Sequence, residues 1–206
     1  MPRPRFNKLP EEKRALMMRS AAKEFGTHGY ENASLNRILE TAEVSKGAAY
    51  YYFDDKADLF STVVDYFMDL ILGETDWREI ELTAETFWPA ITTMYSRQYA
   101  KVEEDRWMLS LMKAGQRLTA EARTNPLLAT AFDRAWQWLK ELFGRGQALG
   151  VVRTDLPDEL LFSLIMHIDE AFDNWFVAHW DETTPEERQK LLMRLIESLQ
   201  HFLAPV

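Results

Sequence analysis

Cysteine is absent from these 206 residues, which excludes disulfides, thiolate zinc sites and cysteine nucleophiles together. Glycine is scarce, eight residues in all, and nothing resembling a glycine-rich phosphate loop, a nucleophile elbow or a recurrent acid/base motif occurs, so no enzyme is expected. The four histidines do not form a ligand set: His167 stands three residues before Glu170, while His28, His179 and His201 are scattered. No metal site and no cofactor are expected. No uninterrupted apolar run of about 18 residues exists, and the opening MPRPRFNKLPEEKR has no apolar stretch of signal-peptide length. A cytoplasmic protein with no membrane partner is the expectation. What the chain does have is 47% apolar residues, enough for one large or two modest domains, recurring at helical spacing with no strand-like alternation.

The most informative stretch is SLNRILETAEVSKGAAYYYFDDKADLF, residues 34–60. Ser34 is an N-cap type, and Leu35, Ile38, Leu39 and Ala42 follow at i, i+3, i+4 and i+7, a one-sided helix able to brace against a neighbour. Glu43 and Val44 supply a turn. Ser45 then caps a second helix, which carries Lys46, Gly47, Ala48, Tyr50 and Tyr51 near its exposed start, and Phe53 closes the unit. Asp54 or Asp55 starts a third helix, with Asp58 adding a carboxylate to its first turn. Two helices around a tight turn of this kind form a helix-turn-helix, whose second helix enters the DNA major groove.

With Phe25, Gly26 and Gly29-Tyr30 ahead of it, this segment resembles the DNA-binding domain of the TetR (tetracycline repressor) family of transcriptional regulators, over roughly residues 10 to 60. The resemblance implies base reading by Lys46, Gly47 and Ala48, and phosphate contacts by Tyr50, Tyr51 or Tyr52 and by Lys56. Gly47 permits close backbone approach, Ala48 offers a methyl to thymine, and phenols bond phosphate without adding charge. Asn36 and Arg37 stand at the exposed start of the bracing helix, where Arg37 is of a type that pairs with guanine. Ser45 belongs to the same contact surface, and one tyrosine, Tyr50 or Tyr52, is alternatively a core residue. Two positions depart from the family pattern. Glu43 occupies a turn site that favours Gly and would cost about 1 to 2 kcal/mol at positive φ, and Ala49 leaves less volume behind the recognition helix.

The net charge of -9 opposes nucleic-acid binding only if it is spread evenly. Residues 1–60 hold ten basic against nine acidic side chains, whereas the remainder holds 14 against 24. Arg3, Arg5 and Lys8 meet no acid within the first ten residues, so the N-terminal arm is locally basic. It reads as a phosphate or minor-groove contact or as a solubilising tail.

The expected architecture is all-α, with about nine helices: an N-terminal three-helix helix-turn-helix domain over 1–60, the motif itself at about 34–53, then a ligand-binding and dimerisation domain over 61–206. The first helix runs from about Pro10 to His28, with Gly29 as a left-handed cap and Ala15, Met18, Ala22 and Phe25 as its buried stripe. A connecting helix covers about 56–72 and ends at Gly73. Five more are expected at about 84–101, 104–119, 126–147, 157–180 and 185–203, the last opened by the capping box Thr184-Pro185-Glu186-Glu187. Pro89 requires its helix to start later or to bend. The resemblance implies that the last two helices pair with a second copy. Leu161, Ile165 and Ile168 on one, and Leu192, Leu195, Leu199 and Phe202 on the other, form the expected dimer stripe, with packing inside one chain as the alternative.

Seven tryptophans, most of them in the C-terminal part, suit either a core or an apolar ligand cavity. On the 157–180 helix, Ser163, His167, Glu170 and Asn174 share a face flanked by Asp169 and Asp173. If that helix is central, His167 and Glu170 bind an effector carrying a cationic or hydrogen-bond-donor group, walled by Trp107, Met108, Met112 and Trp136. The expectation is a homodimeric repressor that binds a pseudo-palindromic double-stranded DNA operator and is released by a small molecule. The rival reading is an all-helical small-molecule-binding or scaffolding protein without specific DNA binding.

Overall fold

Residues 11–32 form the first helix, α1 (Glu11–Asn32), in the computed structural model, which describes residues 2–45, 49–72, 80–118, 122 and 124–206. Nine α-helices and two short 3-10 turns are present among the described residues, with no strand. After α1 come α2 (Leu35–Thr41), α3 (Ala49–Tyr52), α4 (Lys56–Leu72), α5 (Phe87–Glu104), α6 (Trp107–Gln116), α7 (Pro126–Ala148), α8 (Asp158–His179) and α9 (Pro185–Leu203). The chain divides into two compact units, 1–73 with 105–135, and 74–104 with 136–206. This differs from a boundary at residue 60, because α6 packs along α1 and so joins the N-terminal unit.

In the first unit α1 is buried more broadly than one stripe: Met17, Met18, Ala21, Ala22 and Phe25 are all inaccessible to solvent. Gly26 explains how α6 approaches so closely. A Cβ there would lie 2.3 Å from the Ser110 carbonyl oxygen, inside any tolerable contact. Arg117, just beyond α6, donates from Nη1 to the carbonyl of Gly26 (2.9 Å), satisfying an acceptor near the end of α1. Gly29 then breaks the helical path with φ 74 and ψ 165. The expected positive φ is there, but ψ is extended, so the residue redirects the chain and does not form a left-handed cap. Phe25, Tyr30 and Phe60 fill the corner, the rings of Phe25 and Phe60 meeting edge-on at 4.9 Å.

The second unit is built around Phe87, Trp88, Ile91 and Tyr95 of α5, Leu139, Leu142 and Phe143 of α7, Leu161 and Ile165 of α8, and Leu192, Leu195, Ile196 and Leu199 of α9. Pro89 is accommodated by the later start: the helix begins at Phe87, so the missing N–H falls in the first turn, where no intrahelical acceptor exists. The capping box of Thr184 and Glu187 opens α9, with bonds of 2.8 and 3.2 Å. Arg153 closes it, its backbone N–H donating to the Leu203 carbonyl (2.7 Å). Arg188 is buried, its guanidinium held by Glu103 (2.6 and 3.0 Å) and lying over the Trp180 ring.

The expected dimer stripe requires correction. Leu161, Ile165, Leu192, Leu195 and Leu199 are buried in the core of their own unit, with Ile168 and Phe202 half-buried against it. Helical periodicity marks the face that is covered, and here the chain's own helices cover it. Among the described residues no helix is long and apolar enough to cross a membrane. Gly26→Ala is expected to lower stability by about 1 to 3 kcal/mol, because its Cβ meets backbone that no rotamer change can clear; thermal unfolding followed by circular dichroism measures this.

Candidate nucleic-acid interface

The placement of α2 depends on one carboxylate. Glu24 of α1, nearly buried, accepts the Ser34 backbone N–H at 2.9 Å and the Nε–H of Arg37 at 2.8 Å through the same oxygen, Oε1. Burial works to raise the Glu24 pKa, but the hydrogen bonds from Arg37 and Ser34 outweigh it and hold the carboxyl below its ordinary value. The Ser34 hydroxyl accepts from the Arg37 N–H, so the expected N-cap is present, and Ile38 and Leu39 turn inward. Arg37 also donates to the Asn32 carbonyl (3.0 Å). Its guanidinium therefore braces α1 against α2 and would have to leave Glu24 to reach a guanine, whereas Asn36 is exposed beside it.

The turn closes through the Val44 N–H, which donates to the Leu39 carbonyl (2.8 Å), and Glu43 adopts φ 55. This is the left-handed conformation that a glycine would adopt without strain. Ser45 is exposed, while Lys46, Gly47 and Ala48 lie outside the described residues, as do the side chains of Ala49 and Tyr50. Tyr51 is 45% exposed, and its ring meets that of Tyr52 edge-on at 5.2 Å. Tyr52, half-buried, packs on Phe6, so of Tyr51 and Tyr52 it is the one with a core role. Phe53 is buried as expected. Lys56 sends its ammonium to the carbonyl of Glu31 (2.7 Å) and lies 5.0 Å from the Tyr30 ring centroid, so it caps the end of α1. Asp55 accepts the Asp58 N–H (2.8 Å) and Asp58 accepts that of Asp54 (3.1 Å), fixing the start of α4.

The basic arm is ordered on this surface. Residues 6–8 form a 3-10 turn, and Phe6 is buried, its ring 5.0 Å from that of Phe53. Arg3 pairs with Asp54 (2.7 Å) and donates its backbone N–H to the Tyr52 carbonyl (2.9 Å). The Arg5 guanidinium sits 4.3 Å from the centroid of the Tyr51 ring.

Two short helices at a tight turn, braced by α1 and opening an exposed tyrosine outward, define an all-α DNA-binding protein of the helix-turn-helix class. Comparison with known proteins narrows this. The sequence profile of bacterial regulatory proteins of the tetR family matches residues 18–63. The HTH-type transcriptional repressor AcnR of Corynebacterium diphtheriae is 25% identical over 91% of this chain and 93% of its own length. The HTH-type transcriptional regulator AcrR of Shigella flexneri is 25% identical over 91% and 89%. The fold matches that of the transcriptional regulator FadR from Bacillus subtilis, solved in complex with stearoyl-CoA, at TM-score 0.70 and 17% identity over 90% of this chain and 96% of that one. Residues 18–63 thus carry the segment that defines bacterial regulatory proteins of the tetR family, and the chain is similar over most of its length to HTH-type transcriptional regulators.

The expected effector residues are not assembled within either unit. Trp107 and Met108 are buried and Met112 is half-buried in the first unit; His167 and Glu170 belong to the second, where both are exposed. The side chain of Trp136 lies outside the described residues. His167 donates Nδ1–H to the Ser163 carbonyl one turn back (2.6 Å). The polar groups that α8 turns inward are the two acids read only as flanking, Asp169 buried and Asp173 half-buried. Asp169 accepts the Tyr95 hydroxyl (2.9 Å) and Asp173 that of Tyr99 (3.0 Å), a two-rung ladder between α8 and α5. The i, i+4 spacing of both pairs was the available signal, but an isolated wheel does not show which side faces a partner.

Burial pushes Asp169 up to about 6 against the Tyr95 hydrogen bond. Burial and the charge of Asp169 push Asp173 up to about 8. Both values exceed the ordinary 3.8, so the folded chain binds the extra protons, and their contribution to stability is complete below that value. It is lost as pH rises through about 6 and about 8. Asp173→Asn is expected to flatten the fall of melting temperature across that window, measured by thermal melts at a series of pH values. Glu43→Gly is expected to stabilise the chain by about 1 kcal/mol, read from denaturant titration.

Proposed function

We propose that this chain is a homodimeric transcriptional repressor that binds a pseudo-palindromic operator through one helix-turn-helix per half-site and is released by a small-molecule effector. The observation that carries this is the braced helix-turn-helix at 34–53, lying inside the segment shared with tetR family regulators. AcnR, similar over nearly its whole length, is a repressor by name, and FadR was solved with stearoyl-CoA. Both support the finer reading. The functional division keeps residues 1–60 as the reading head and 61–206 as the regulatory body, acting on DNA in the cytoplasm. Lys46, Gly47 and Ala48 carry base choice, with Asn36, Ser45, Tyr50 and Tyr51 around them. Arg37, Tyr52 and Lys56 act chiefly by holding the frame.

The dimer face moves to the other side of α8. Leu160, Leu164 and Trp175 are exposed there by 48%, 37% and 42%, on one stripe with Ala171 and Ala178. His167 and Asn174 lie within the same stripe, which gives them a contact role at the interface in place of the effector role. Support for an effector comes from the Trp107 and Trp138 indole N–H groups, which are buried with no acceptor among the described residues. An effector supplying an acceptor would satisfy such a donor. It releases DNA only by preferring the dimer whose heads are not spaced for successive major grooves, about 34 to 36 Å apart, with α4 as the lever.

Sedimentation and DNA binding test this together. Wild-type protein is expected to sediment as a dimer and to bind duplex from upstream of its own gene with affinity falling steeply with salt. Leu164→Glu is expected to give a folded monomer with at least tenfold weaker binding. A wild-type monomer, or binding indifferent to salt, would favour a scaffold.

A further inference from the structure

Among the described residues, four of the five arginines in the first sixty positions are paired with carboxylates: Arg3 with Asp54, Arg14 with Glu11, Arg19 with Asp105 and Arg37 with Glu24. Arg5 differs. It is exposed, and its guanidinium rests over the Tyr51 ring, 4.3 Å from the centroid. A ring face orients a guanidinium without neutralising it and leaves its N–H groups pointing outward for an oxyanion. The neighbouring Tyr51 phenol is itself a phosphate-binding type of group.

The arm is held where this requires. Phe6 inserts beside Tyr52 and Phe53, the Arg3 N–H satisfies the carbonyl of Tyr52 at the end of α3, and Arg3 pairs with Asp54 at the following turn. These contacts flank Arg5 on both sides, so its position is fixed before DNA arrives and little ordering cost remains. We infer that the N-terminal arm is a built-in part of the DNA-reading head, in which Phe6 and Arg3 are positioning residues and Arg5 forms with Tyr51 a composite phosphate clamp. This rests on the DNA-binding reading above, and adds a contact outside the helix-turn-helix itself. It also replaces the alternatives of a free tail and of an arm in the minor groove.

The test is a salt titration of the full-length protein on a mixed-sequence duplex, by fluorescence anisotropy. Arg5→Ala is expected to melt like the wild type and to reduce the slope of log K against log salt by about 0.9 for each head. Arg5→Lys is expected to restore most of the slope while losing several-fold in affinity, because the ammonium cannot stack on the ring as a guanidinium does. Phe6→Ala is expected to lower the slope as Arg5→Ala does, although Arg5 is still present; a merely structural Phe6 would change melting and leave the slope of the folded fraction intact. If Phe6→Ala does not fold, the Arg5 variants decide the matter. An unchanged slope in Arg5→Ala, with wild type binding normally, would overturn the clamp and leave the DNA-binding reading standing. A wild-type protein that binds no duplex would overturn both. A selective loss of preference for A·T pairs flanking the site would put Arg5 in the minor groove and overturn the docked geometry.

Discussion

The reading head depends on the Glu24 carboxylate. One nearly buried acid on α1 meets the first N–H of the next segment and the guanidinium of Arg37, and so fixes where α2 begins and how it leans. Such a group is strong only when fully partnered: remove Arg37 and a nearly buried charge loses its main counter-ion; remove Glu24 and Ser34 loses an acceptor at the helix entry. The turn at Glu43 and the short α3 are placed relative to α2, and the arm is placed relative to α3. Each step passes on the precision of the one before. Backbone strain at Glu43 is tolerated because the flanking helices determine its conformation.

Much of this head was legible in the sequence because its signals are local. Ser34 as a cap, the positive φ at Glu43 and Gly29, and the Asp55–Asp58 start of α4 each depend on residues within a few positions of one another. Glu24 was not found, since its partners are ten and thirteen residues away and an acid in a helix ordinarily reads as solvated. The same holds for Lys56. Its charge suggested phosphate, and its ammonium is turned to the carbonyls that end α1. The arm was read as basic, but the information lay in Phe6, whose burial docks it.

The body shows the limit of periodicity more sharply. A helix wheel separates faces without saying what covers them, and α8 has two competing faces. Leu161 and Ile165 fall on the side its own unit buries, with Asp169 inside that core paired to Tyr95. Leu160, Leu164 and Trp175 fall on the open side, with His167. The sequence reading gave the apolar face to a partner and the polar face to a ligand; the packing supports the reverse allocation for the partner. The acids at Asp169 and Asp173 stay inside because each has a phenol donor and because burial favours their protonated form.

The central claim is that two copies of this head read DNA together. Selection of binding sites from a pool of random duplexes by the wild-type protein tests it most directly. Two inverted half-sites, with centres one helical turn apart or a multiple of it, are the expected result. Recovery of a pool with no enriched motif, or of a single unpaired half-site, would contradict it.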